Sequence, residues 1–132
     1  MSEEQNRAIE VLEQLIKSIK NLRPEESKGA EQALESMGFP SIEILEIRVG
    51  FMKSAQSSGM NVYDWLRKEC RLILSDRAYM RSVPNQCKVD LSNYHARLYG
   101  GQWCDPDDDI MFDGLRKKYK EYISKKTGPY TA

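Results

Sequence analysis

Asp105-Pro106 is followed at once by Asp107, Asp108 and Asp109, and the same segment closes on Arg116, Lys117, Lys118, Lys120, Lys125 and Lys126. A capping aspartate, a proline at the first helical position, acids first and bases last is the order that a helix start and its dipole favour. Punctuation of this kind recurs along the chain, and only one short stretch competes with it as a strand. The expected fold is therefore all-α, a single-domain bundle of six or seven helices.

Residues 4–22 read as an amphipathic helix. Ala8, Leu12, Leu15, Ile19 and Leu22 recur with 4-3-4-3 spacing, and Ile9, Val11 and Ile16 widen the stripe to about 160° at 100° per residue. That breadth suits packing into a bundle better than the narrow seam of a coiled coil. A homo-oligomer through Leu12, Leu15 and Ile19 is the alternative. Pro24 opens a second helix over 24–37, with Ala30, Ala33, Leu34 and Met37 on one side, Gly38 at its end and Pro40 blocking continuation.

Ser41 is placed to cap a third helix. There Ile42, Leu45, Val49 and Met52 form one row, and Ile44, Ile47 and Phe51 another. Ile42 and Ile44 also alternate around Glu43, so over residues 41–49 a strand is the competing reading. After Ser57-Ser58-Gly59, Asn61 caps a helix in which Val62, Trp65, Leu66, Leu72, Ile73 and Met80 form the buried side. This helix runs to Ser82 unless Ser75-Asp76 breaks it. Val83-Pro84-Asn85 reads as a loop. Asp90 is expected to cap a short helix through Leu91, Tyr94 and Leu98, stopped by Gly100-Gly101. Ile110, Leu115, Tyr119, Tyr122 and Ile123 are the apolar contacts of the last helix, and the tail 127–132 is expected to be loose.

A chain of 132 residues buries enough surface to fold without a staple. Twenty basic and twenty acidic residues cancel, which argues against coating nucleic acid or membrane by bulk charge. Locally the charge is uneven. Residues 67–99 hold seven bases against three acids, and residues 110–132 six against two. Met1 through Gln5 lacks the apolar core of a signal peptide, and no apolar run approaches the roughly 20 residues that cross a bilayer. Cys70, Cys87 and Cys104 are an odd count without close pairs, as reduced thiols would be. The expectation is a soluble intracellular protein, cytoplasmic or nuclear, without contact to a membrane.

Arg67, Arg71, Arg77 and Arg81 fall on one side of the Asn61–Ser82 helix, provided it is unbroken past Ser75. Four guanidinium groups in a row suit phosphates or carboxylates, because each presents a planar fork of donors. Arg116, Lys117, Lys118 and Lys120 form a second basic surface with Tyr119 interleaved. The plainer accounts are a solvated face for the first and dipole compensation for the second. Trp103, after Gly100-Gly101-Gln102, is an aromatic anchor on the bundle or, if exposed, a binding hot spot.

Gly59 through Arg67, Gly-Met-Asn-Val-Tyr-Asp-Trp-Leu-Arg, resembles the turn and second helix of ribbon-helix-helix repressors, with Ile47, Phe51 and Ala55 at the spacing of their first helix. The resemblance implies a preceding strand whose polar or basic side chains enter the major groove. Here that stretch is Phe39-Pro40-Ser41-Ile42-Glu43, with a proline and an acid that would face phosphate.

Metal and catalytic readings find little footing. Counted from Asp105, the sixth and twelfth positions of a calcium loop would be Ile110 and Arg116, where glycine and a bidentate acid are needed. Cys70, Cys87, His95 and Cys104 lack the close ligand pair of a structural zinc site. No nucleophile motif or phosphate-binding glycine loop is present. The sequence reading is thus a non-catalytic binding module without cofactor or metal. It engages an acidic protein surface through Arg67, Arg71, Arg77, Arg81 and the basic end of the last helix. A nucleic-acid-binding regulator using the same arginines is the alternative.

Overall fold

The computed structural model describes residues 3–127. It is all-helical: among the described residues there are seven α-helices, one 3-10 turn and no strand. The chain divides into two compact units, one ending at Val62 and the other beginning at Tyr63. Of the tail expected to be loose, only Thr127, the last residue of the final helix, lies within the described residues. None of the described helices is long and apolar enough to cross a membrane.

The first unit holds α1 (Glu3–Lys20), α2 (Pro24–Ser36) and α3 (Ile42–Ser57). Ile9, Ile16 and Ile19 are buried on α1, whereas Val11 and Leu22 are exposed. The buried face is therefore rotated toward Ile9 and Ile16 from the centre of the expected stripe. Of the seam suggested for self-association, Ile19 is buried and Leu12 and Leu15 are half-buried. On α2 only Leu34 is buried, and Met37 is 66% exposed, against the expectation that both face inward.

Two helices of this unit end alike. Gly38 (φ +88°) and Gly59 (φ +67°) adopt the left-handed conformation that residues with a Cβ avoid. Phe39 N–H then reaches back to Leu34 O, and Met60 N–H to Ala55 O, each at about 3 Å. These are the capping bonds of a Schellman ending.

Residues 42–57 are helix, which settles the ambiguity at Ile42. Ser41 Oγ accepts from Ile44 N–H at 3.4 Å, and Ile42, Ile44, Leu45, Val49, Phe51, Met52 and Ala55 are all buried. Both apolar rows are covered, so a two-sided helix reproduced the alternation of a strand. The strand required by the ribbon-helix-helix resemblance is absent, since residues 39–41 form an irregular connection.

The second unit holds α4 (Val62–Ser75) from its second residue on, α5 (Arg77–Ser82), α6 (Asn85–Arg97), a 3-10 turn (Leu98–Gly100) and α7 (Pro106–Thr127). The break at Asp76 is real. Its carboxylate accepts from Tyr79 N–H at 3.1 Å, which caps α5, and from Tyr119 Oη–H at 3.0 Å on α7. Leu72, expected to be buried, is half exposed, and Cys70 takes its place in the core.

Asp90 is not a cap. Helix α6 begins at Asn85 behind Pro84, and Asp90 accepts from Gln86 Nε2 within it. A proline at the boundary lacks the N–H that would otherwise be orphaned. Of the apolar residues expected on α7, Tyr119 is buried, but Ile110 is 40% exposed; Phe112 is the fully buried one.

Candidate functional site

The four arginines do not form one row. Arg67 and Arg71 lie on α4, Arg77 and Arg81 on α5, and the 100° increment that aligned them fails at Asp76, whose backbone is extended. Arg77 and Arg81 are exposed, and Arg81 Nε–H donates to Arg77 O at 3.3 Å.

Arg67 is held in place from three sides. It is ion-paired with Asp64, donates from Nη1 to Leu98 O at 2.8 Å, and sits over the Tyr99 ring with Cζ 5.2 Å from the centroid. Its side chain is only 18% exposed. One helical turn on, Arg71 is exposed. Tyr99 is 63% exposed, and its ring meets His95 edge-on at 5.3 Å. Burial, followed by the charges of Arg71 and Arg67, pushes His95 below the ordinary histidine value. Its Nε2 is buried and has no hydrogen-bond partner among the described residues.

These contacts join Arg67, Tyr99 and His95, and Arg71 stands one helical turn beyond Arg67, near enough for its charge to act on His95. Sequence reasoning found the two arginines and missed the other two residues. The signal was the turn at Gly100-Gly101, where Gly101 has φ +67° and ends the 3-10 turn carrying Tyr99.

The second expected surface is partly consumed by structure. Arg116 Nε–H donates to Glu69 Oε1 at 2.8 Å, both side chains are 16% exposed, and its guanidinium lies 4.7 Å from the Trp65 ring centroid. Lys117 pairs with Asp113 one turn earlier at 2.9 Å. Lys118 and Lys120 are exposed, and Tyr119 between them is buried against Tyr79. Trp103 is half-buried and meets the Tyr63 ring edge-on at 5.5 Å, as an anchor does.

The acids at the start of α7 separate into different roles. Asp108 pairs with Arg97, and Asp109 is fully buried and accepts from Tyr94 Oη–H at 2.9 Å. Among the described residues no three His, Cys, Asp or Glu side chains lie together in a way that could hold a metal ion. Burial pushes the Cys70 thiol up to about 12, and burial together with Asp109 and Asp108 pushes Cys104 up to about 11. Both shifts run opposite to the activation of a nucleophilic thiolate.

No protein-family model matches the chain, and no curated protein or solved structure matches it either.

Proposed function

We propose that the chain is a non-catalytic binding module that docks an acidic segment of a protein partner on the face made by Arg67, Arg71, His95 and Tyr99. One observation carries this reading. The Arg67 guanidinium is fixed by Asp64, Leu98 O and the Tyr99 ring, directly beside an exposed arginine and a largely exposed tyrosine. An arginine already held in one conformation loses little freedom on binding, and a tyrosine beside it offers area with few torsions to freeze. Arginine and tyrosine are also the residue types that dominate interface energetics.

An acidic protein segment fits this face better than a nucleic acid. Asp64 offsets the charge of Arg67, Arg77 and Arg81 stand on another helix, and Arg116 is engaged by Glu69. A short acidic stretch with an apolar or aromatic residue satisfies one exposed guanidinium and one exposed ring. A phosphate backbone calls for a longer array of cations.

Titration with a fluorescent Glu-rich peptide and with duplex and single-stranded oligonucleotides, at two salt concentrations, tests the reading. Peptide binding that weakens with salt and is lost in Arg71→Glu supports it. Tighter binding of the oligonucleotide, lost in the same variant, makes the chain a nucleic-acid binder instead. Peptide binding untouched by Arg71→Glu removes the face from consideration.

A further inference from the structure

We propose that the partner docked beside Arg71 and Tyr99 is a second copy of this chain, which presents the acidic end of α2. This inference rests on the reading of Arg67, Arg71 and Tyr99 as a docking surface and names its occupant.

Helix α2 is 13 residues long and buries only Leu34. Helices in proteins owe most of their stability to a packed face, and this one has little of it. Glu25, Glu26, Glu31 and Glu35 stand on it against a single base, Lys28. Glu31 and Glu35 lie one turn apart, are exposed, and have no cationic partner among the described residues. The turn at Gly38 then presents Phe39, which is 43% exposed, and Met37 beside it is more open still. Glu31, Glu35 and Phe39 line one surface groove, to which Lys28 also contributes.

Two carboxylates and an aromatic ring are the complement of what the second unit offers. Arg71 is exposed, and Tyr99 is largely exposed with the fixed Arg67 guanidinium over its ring. A guanidinium fork takes a carboxylate through two parallel bonds, and two rings pair edge-on or offset. Charge agrees on the larger scale. Residues 1–62 carry ten acids and seven bases, whereas residues 63–132 carry thirteen bases and ten acids. Opposite net charges steer the first unit of one copy toward the second unit of another. The two surfaces differ, so the contact is head-to-tail, and a pair still has one acidic groove and one basic surface unoccupied.

Light scattering of the full chain at low salt, from about 10 μM to about 1 mM, tests this. The apparent mass should rise with concentration past that of a pair and fall back toward one chain in high salt. Arg71→Glu, and separately Glu31→Gln combined with Glu35→Gln, should each weaken association about tenfold or more. Mixed in equal amounts, the two variants should recover the wild-type affinity yet stop at a one-to-one complex, because each supplies one intact surface. Misfolded variants would not restore each other, so recovery separates docking from loss of fold. A wild-type chain that stays single throughout, association undiminished in either variant, or a mixture no larger than its parts would each overturn the proposal. A single chain that still binds the Glu-rich peptide through Arg71 leaves the basic surface standing and removes only the second copy as its partner. A single chain that binds no peptide removes both.

Discussion

The phenol of Tyr94 donates to Asp109 Oδ1 at 2.9 Å, joining α6 to the first turn of α7 with both residues out of water. The Tyr94 ring also stacks on Phe112 at 4.8 Å with 18° between the planes. Burial and the Asp109 charge push the tyrosine's titration upward, so the hydroxyl stays a donor at any physiological pH. Tyr94→Phe preserves the stack and removes only the donor. It should destabilise the chain by about 1.5–3 kcal/mol in urea unfolding, the scale of a hydrogen bond to a charged group. A loss below about 0.5 kcal/mol would show that Asp109 does not depend on the phenol.

Arg116 and Arg71 should behave oppositely. Arg116→Ala removes a half-buried ion pair to Glu69 and the stacking on Trp65, and should lower stability by about 2–3 kcal/mol. Arg71→Ala alters an exposed side chain and should stay within about 0.5 kcal/mol of wild type. Thermal unfolding of the two variants side by side checks this. Equal effects would contradict the assignment of Arg116 to structure and Arg71 to the free face.

Glycines separate by conformation. Gly38→Ala and Gly59→Ala force a Cβ into the left-handed region and should each destabilise by about 1–2 kcal/mol. Gly29→Ala and Gly114→Ala, both within helices with open space around a new Cβ, should each stabilise by about 0.5–1 kcal/mol. Chemical denaturation resolves differences of this size.

Acid should weaken the second unit through His95. Its titration lies below the ordinary value of 6.5 in the folded chain, because burial and the charges of Arg71 and Arg67 disfavour the imidazolium. The unfolded chain therefore binds more protons between the folded value and 6.5, and stability falls as pH drops through that window. Comparing the melting temperatures of the wild-type chain and His95→Gln from pH 7.5 to 5 isolates this contribution. The wild type should lose more stability on acidification than the variant, and parallel curves would contradict the assignment.

How much of this was legible in the sequence follows from the range of each interaction. Ser41, Gly38, Gly59, Pro24 and Pro106 act within one helical turn, and the elements they bound were read correctly. The start of α6 was missed because residues 85–89 offer no apolar stripe, with Val89 half exposed, while Asp90 mimics a cap. Arg116, read as a surface cation, is committed to Glu69, which lies 47 residues earlier in the chain. Asp109 likewise resembles its acidic neighbours in the sequence, and its bond to Tyr94, fifteen residues earlier, is not visible there. Cys70 took the place assigned to Leu72 because a buried thiol packs as a small apolar group. The face of Arg67, Arg71, His95 and Tyr99 depends on packing α4 beside the end of α6, which no local pattern encodes.

The most direct measurement of the central claim is a residue-by-residue chemical-shift map of the full chain titrated with a Glu-rich peptide, including the arginine side-chain Nε–Hε signals. The account predicts saturable shifts at Arg67, Arg71, His95 and Tyr99, with Lys118 and Lys120 little affected. Shifts confined to Lys118 and Lys120, or to Arg77 and Arg81, would contradict it, as would a chain that gives no saturable response at low salt.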